Sequence, residues 1–297
     1  MKLRDVVVVY KRSSFDLYAN VKKDGNFLRL VRTKSPVVHR FLPSHKTHEA
    51  SRKHVSELLA RLGIRAHFVH RAKPFSEKGI DLVITVGGDG TFLDASHSVK
   101  KTPILGLNSN PDDSVGMFCG ATVETLEKTL SDIQGDRISP LPLARLALFS
   151  KGHRYVPVLN DLLVANTNPA ATSRFILEIG SERREWKCSG LWVSPPAGST
   201  AGIRSAGGTI LPIRSRRYQF VVREPYFAGP RQPGLARKVL GPDDQIVIRS
   251  KMRTGGIYID GSHRRHAFAL GETLRVRLSS HPLLVFAYDE RRRRRFS

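Results

Sequence analysis

Gly87-Gly88-Asp89-Gly90-Thr91 follows directly on the apolar run of residues 81–86, DLVITV. Glycines at the end of a strand let the backbone bend sharply and bring N–H groups against an anion, an approach that side chains would block. A phosphate cradle holding a carboxylate is therefore one use of this turn. The plain alternative is a strand-to-helix turn in which Asp89 or Thr91 caps the next helix. Position favours the cradle, because open α/β sheets bind ligands at the carboxyl ends of their parallel strands. A second segment, SGLWVSPPAGSTAG at residues 189–202, is closed by SAGG at 205–208. Its small residues let backbone lie against a flat ligand, and Ser199 and Thr200 offer hydroxyls to phosphate or ribose; the competing account is a tight β-turn region. Asn160-Asp161, set before the apolar residues 162–164, reads by itself as a turn and gains weight only from its neighbours.

Other nucleotide signatures fail on inspection. There is no Gly-Lys dipeptide, hence no Walker loop, and Leu93 stands where a dinucleotide fingerprint wants glycine. No HRD or DFG set of a protein kinase is present. His263 and His266 lack a third metal ligand and read as surface residues, and Asp260-Gly261 reads as a hairpin turn. Lys187 and Arg204 flank the second segment as candidate phosphate contacts, against the plain alternative that in a chain this basic each is simply solvated.

The elements that must carry these residues change character along the chain. Residues 6–10 form a β-branched run, 11–48 a polar and loop-rich stretch, and 47–62 a helix with Val55, Leu58, Leu59 and Leu62 on one face, ended by Gly63. Strands are expected at 64–70, 81–86 and 103–107, which with the intervening helices implies a Rossmann-like parallel sheet. After about residue 140 come short strand-like runs at 143–149, 154–159, 175–179, 218–222, 245–248, 256–259 and 273–278, and 283–288 is a strand free to join either part. The expected division is an α/β nucleotide-binding domain at 1–140, a β-rich domain at 141–288 and a basic tail at 289–297, with the junction at Ser139-Pro140-Leu141-Pro142.

The chain has 297 residues, 40% hydrophobic and 25% charged, and no apolar run near the roughly 18 residues needed to span a bilayer. This composition excludes a mainly disordered chain. Cys119 and Cys188 show neither metal-ligand spacing nor a disulfide framework, which fits a reducing, cytoplasmic setting. A formal net charge of +23 attracts polyanions such as nucleotides or nucleic acid. The arginine run at 291–295 reads as a solvated end, since like charges keep a tail extended. A basic nucleic-acid-binding protein is one alternative, disfavoured because no aromatic-rich or helix-turn-helix motif accompanies the charge.

GGDGT after an apolar strand, an Asn-Asp pair at the start of a β-domain strand and a GSTA segment followed by a double glycine, in this order, resemble the NAD kinases. The resemblance runs from about residue 81 to 288, and LNDLLVANTNPAATSRF, YQFVVREPY and GGIYIDGSH look closest to the NADH kinase branch known from plants. GGDGT alone is shared with diacylglycerol, sphingosine and phosphofructo-kinases, so a lipid kinase is the second alternative. The resemblance implies ATP-dependent phosphorylation of the adenosine-ribose 2′-hydroxyl of NAD or NADH, with Mg²⁺ or another divalent cation. It implies that Asp89 takes or holds the hydroxyl proton and the metal, that Gly88, Gly90 and Thr91 form the turn around it, and that Asn108 is a further ligand candidate. Asn160 and Asp161 would hold the dinucleotide, with Lys187, Ser199, Thr200, Ala201 and Ser205 lining its pocket. A homo-oligomer, dimer or tetramer, is implied as well, with a neighbouring subunit completing that pocket. Two positions depart from the family pattern: Ser189 replaces an aspartate and Gly202 a tyrosine, which removes an aromatic wall.

Overall fold

The structure is a computed structural model that describes residues 1–226 and 236–295. The chain forms two compact units, one of Met1–Leu141 with Leu283–Arg294 and one of Pro142–Pro282. In the first, five parallel strands lie in the order Arg65–His70, Asp5–Tyr10, Leu82–Gly87, Ile104–Asn108, Leu283–Phe286, with Leu141–Leu143 next in the sheet. Leu82–Gly87 and Ile104–Asn108 are buried along their whole length, as continuous apolar runs in a doubly covered parallel sheet must be. The helix Phe41–Arg61 turns Val55, Leu58 and Leu59 inward, and Leu126–Gln134 turns Leu126, Leu130 and Ile133 inward. Full burial of each such side chain contributes roughly 1.5–3 kcal/mol. From Asp5–Tyr10 the chain moves to one side of the sheet for Arg65–His70 and then crosses to the other for Leu82–Gly87. The strand order therefore reverses between Asp5–Tyr10 and Leu82–Gly87.

Three expectations change here. The stretch 11–48 is not loop-rich. It holds a helical turn at Asp16–Val21, a helix at Gly25–Arg32 and the start of Phe41–Arg61. The Asp24 carboxylate caps Gly25–Arg32 by accepting from the Phe27 N–H at 2.8 Å. The segment is held by Phe15, Tyr18 and Phe41, whose rings lie 5.3–5.9 Å from that of Phe27. The run 283–288 leaves the expected 141–288 domain, because Val285 and Phe286 pair in parallel with Ile104 and Leu105 of the first unit. The arginine run is not a bare tail either: Glu290–Arg295 is a helix with Arg293 buried, while residues 296 and 297 lie outside the described residues.

The second unit is built from two antiparallel sheets. One runs Glu182–Cys188, Ser173–Ile179, Ile246–Ser250, Thr273–Leu278, Leu146–Ser150, His153–Arg154; the other runs Arg237–Leu240, Tyr218–Arg223, Gly190–Ser194, Leu162–Asn166, Gly255–Ile259, Arg264–Phe268. Alternation along Ser173–Ile179 sends Phe175, Leu177 and Ile179 into a core shared with Leu191, Val193, Phe220 and Ile257 of the other sheet. The expected strand at 154–159 pairs only at His153–Arg154, with Val158 bridging Leu146, since Pro157 between them has no N–H to give a ladder. No helix among the described residues is long and apolar enough to cross a membrane.

Candidate functional site

The GGDGT turn opens the helix Asp89–Ser96, with Gly88 as its N-cap residue and no side chain capping it. Asp89 does not cap its own helix. Its Oδ2 accepts from the N–H of Met117 at 3.0 Å and its Oδ1 from that of Phe118 at 2.8 Å. Each oxygen keeps lone-pair capacity for another partner, so the carboxylate is fixed in direction and still able to receive a proton or a cation. Thr91 is buried, and its hydroxyl is turned against Gly87, where a Cβ would collide with it. It therefore shapes the turn from inside. A Cβ on Gly88 would lie 2.9 Å from the Ser114 Oγ, whereas Gly90 is exposed. Asn108 is also buried; its Nδ2 donates to the Ser114 carbonyl at 2.7 Å and its Oδ1 accepts from the Asn110 N–H at 3.2 Å, so it organises the turn after its strand.

In the second unit Asn160 and Asp161 form one hydrogen-bonded pair, Asn160 Nδ2 donating to Asp161 Oδ2 at 2.7 Å. Asp260, read from sequence as a hairpin turn, sits in the left-handed region at φ 51° and carries much of the local order. Its carboxylate accepts from the N–H groups of Leu159 at 3.1 Å, Asn160 at 2.7 Å and Asp161 at 3.0 Å, and its own N–H donates to the Asp161 carbonyl at 2.8 Å. Burial, and after it the charge of Asp260, pushes the Asp161 carboxyl up to about 7.

The GSTA segment meets this pair directly. Ser194 Oγ donates to the Asn160 carbonyl at 3.1 Å, and Gly198 packs so closely on that carbonyl that a Cβ has no room. Ser199 is buried, its hydroxyl donating to the Pro196 carbonyl at 2.8 Å and accepting from the Leu211 N–H at 3.0 Å, so it builds the turn. Thr200 and Ala201 stay half-exposed and Ser205 is exposed. Lys187 is exposed on Glu182–Cys188, in the sheet that does not contain Leu162–Asn166. Where Gly202 replaces the family tyrosine, the nearest neighbour to a Cβ is the Trp192 ring at 3.4 Å, so an aromatic face borders the segment from another strand. Among the described residues no group of three His, Cys, Asp or Glu is arranged to hold a metal.

A parallel α/β unit with a carboxylate-bearing glycine turn, in one chain with an antiparallel unit that presents an anchored Asn-Asp pair, defines a nucleotide-binding phosphotransferase class. A family model described as the ATP-NAD kinase N-terminal domain matches residues 24–134. An NADH kinase of Arabidopsis thaliana is 34% identical over 322 aligned residues, covering 96% of both chains. The chain belongs to the NAD kinase family. Among solved structures, a yeast NADH kinase complexed with NADH aligns with a TM-score of 0.74 at 16% identity, covering 100% of this chain and 86% of that one. An NAD kinase from Archaeoglobus fulgidus in complex with ATP aligns with a TM-score of 0.69 at 22% identity, covering 98% and 97%. At those identities the likeness speaks for the fold.

Proposed function

We propose that this chain transfers the γ-phosphoryl group of ATP to the adenosine-ribose 2′-hydroxyl of NAD or NADH, making NADP or NADPH. The observation that carries the reading is the Asp89 carboxylate, fixed by two backbone N–H groups in a GGDGT turn of a chain that belongs to the NAD kinase family. Phosphoryl transfer needs an in-line nucleophile and stabilised oxygens more than covalent chemistry, and a pre-aimed carboxylate answers the first need. In this reading Asp89 orients the hydroxyl and receives its proton. Asn160 and Asp161 bind the dinucleotide, with Thr200, Ala201 and Ser205 beside them.

The donor set fits Mg²⁺ only in the manner of phosphate-borne magnesium. Mg²⁺ is commonly held by one or two carboxylates plus substrate phosphates. With no three-ligand group among the described residues, Asp89 is the protein group we assign to it. The ion's contribution when bound is to offset charge on the transferring phosphate oxygens. We also propose a cytoplasmic enzyme that works as a homo-oligomer, to be checked by light scattering of the purified chain.

An acceptor screen tests the reading: purified protein, ATP and Mg²⁺ are incubated separately with NAD, NADH, diacylglycerol and sphingosine, and phosphorylated products are measured. Phosphate is expected on NAD or NADH alone. Transfer to a lipid with none to dinucleotide would replace this reading with lipid phosphorylation.

A further inference from the structure

The sheet of the second unit that runs from Glu182–Cys188 to His153–Arg154 has one face in the core and the other in solvent. Phe175, Leu177 and Ile179 point inward, so Arg174, Ile176 and Glu178 point outward, and the register carries that outer face over all six strands. One row runs straight across it: Arg183, Glu178, Val247, Arg275, Phe149 and Arg154 are successive cross-strand partners. Neighbouring rows add Arg249 opposite Ile176 and Arg277 opposite Ala147. All of these arginines are exposed, while Phe149, Ile176 and Val247 between them are half-buried. The cations come from separate strands, so no basic motif marks them in the chain.

Two carboxylates share the face and both are engaged. Glu178 accepts from Arg249 Nε at 3.0 Å and lies 3.2 Å from Arg183 Nε, and Glu185 is met by Lys251 Nζ at 2.6 Å. Arg154, Arg174, Arg275 and Arg277 pair with no carboxylate among the described residues. The guanidinium groups of Arg154 and Arg277 rest instead over Phe149, 5.8 and 5.2 Å from its ring centre. Arg275 and Arg277 sit two residues apart on one strand, about 7 Å, which is inside the Debye length of about 8 Å at physiological salt. They therefore repel each other, and an anionic ligand relieves that repulsion. The same charge keeps a second copy of this face away.

The chemistry of the face narrows the anion. Guanidinium groups meet phosphates in a bidentate manner and stack on flat rings. Six strands span about 24 Å, broad enough for several nucleotides lying side by side. A duplex is a convex rod that touches such a face along a line, whereas a single strand can spread over it and set base faces on apolar side chains. An anionic bilayer would meet the charges but has no use for apolar groups half-buried between them.

We infer that this outer face binds single-stranded nucleic acid, with phosphates on Arg154, Arg275 and Arg277 and bases against Phe149. It lies on a different sheet from Asn160 and Asp161, and the inference does not depend on the kinase reading.

The test is fluorescence anisotropy of a labelled single-stranded oligouridylate of about 20 nucleotides with the full chain, across a salt series. The same-length RNA duplex and phosphatidylserine vesicles are measured beside it. Wild type is expected to bind the single strand about fivefold or more tighter than the duplex, with affinity falling on a log–log slope of about −2 for three phosphates. Arg275→Glu/Arg277→Glu should weaken binding at least about tenfold and make the slope shallower by about 1.4. Arg275→Gln/Arg277→Gln, which removes the charge without reversing it, should fall between. Lys2→Glu/Lys23→Glu, exposed positions of the first unit with the same change in net charge, should stay within about threefold of wild type. Phe149→Leu should weaken the single strand about fivefold with the salt slope kept, since it removes a stacking face and no charge. Melting curves confirm that each variant is folded. Equal loss in the Lys2/Lys23 and Arg275/Arg277 variants would overturn the inference by making the attraction one of net charge alone. Duplex bound as tightly as single strand, or vesicles bound and RNA not, would overturn it as well.

Discussion

Asp89 and Arg292 hold the same turn from opposite sides. The Asp89 carboxylate accepts the N–H groups of Met117 and Phe118, while Arg292 Nη1 donates to the carbonyls of Gly116 at 2.6 Å and Cys119 at 2.8 Å. The peptide dipoles of residues 116–119 thus run between a cation and an anion, each favouring the other's hydrogen bonds. Gly116, at φ 59°, lets the chain make this turn where a Cβ would meet Asn108 Nδ2 at 2.6 Å. Burial first, and then the Asp89 charge, pushes the Cys119 thiol up to about 12, so it stays protonated beside the carboxylate.

Arg292→Ala is expected to destabilise the protein by about 1–3 kcal/mol, because carbonyls built to meet a guanidinium lose it. It is also expected to lower kcat more than it raises the KM for NAD. Thermal melting and steady-state kinetics on the same preparation check both. An unchanged melting temperature with unchanged kcat would show that the turn holds Asp89 without the arginine.

The Asp161 carboxyl, raised from 3.8 to about 7, links the second unit to pH. The folded state holds this proton more tightly than the unfolded chain, so its stabilising contribution is complete below about pH 4 and is lost as pH rises through about 7. Asp161→Asn mimics the protonated form. The variant should melt below or near wild type at pH 5 and gain on it by pH 8, each 1 kcal/mol appearing as about 2–4 °C. Parallel melting curves for the two proteins across that range would contradict the shift.

Asp260→Ala removes the acceptor of three backbone N–H groups at once. A loss of about 2–4 kcal/mol in stability is expected, with the KM for NAD raised about tenfold or more through Asn160 and Asp161. Asp260→Asn keeps one acceptor oxygen and should fall between. Equal kinetics in all three proteins would mean that the pair is ordered by other contacts.

Two glycines of one segment separate packing from mere composition. Gly198→Ala drives a Cβ into the Asn160 carbonyl, whereas at Gly202 the Cβ meets only the Trp192 ring at 3.4 Å, an ordinary contact. The first change should cost about 2 kcal/mol or more and damage dinucleotide binding, and the second under about 1 kcal/mol. Denaturant melts of both variants give the comparison.

What was legible in the sequence followed local rules. Buried parallel strands such as Leu82–Gly87 announce themselves as apolar runs, and GGDGT locates its own turn. Helix Gly25–Arg32 was hidden because Phe15, Tyr18, Phe27 and Phe41 cluster without a helical period. Arg292 was hidden by its company, since a run of arginines resembles a solvated end until one of them finds buried carbonyls. Asp260 showed only its Asp-Gly turn, because its three partners lie about a hundred residues earlier. In Asp89→Asn an amide NH₂ would face one of the two backbone donors, so that variant is expected to loosen the turn by about 1–2 kcal/mol as well as remove the carboxylate.

The role of Asp89 is tested most directly by single-turnover formation of 2′-phosphorylated dinucleotide from ATP, Mg²⁺ and saturating NAD or NADH, in wild type and Asp89→Ala, with dinucleotide binding measured on the same samples. Wild type is expected to form NADP or NADPH, and Asp89→Ala to bind the dinucleotide within about threefold of wild type while forming product at least about a hundredfold more slowly. Product formation by Asp89→Ala at a rate near that of wild type would contradict the role given to this carboxylate.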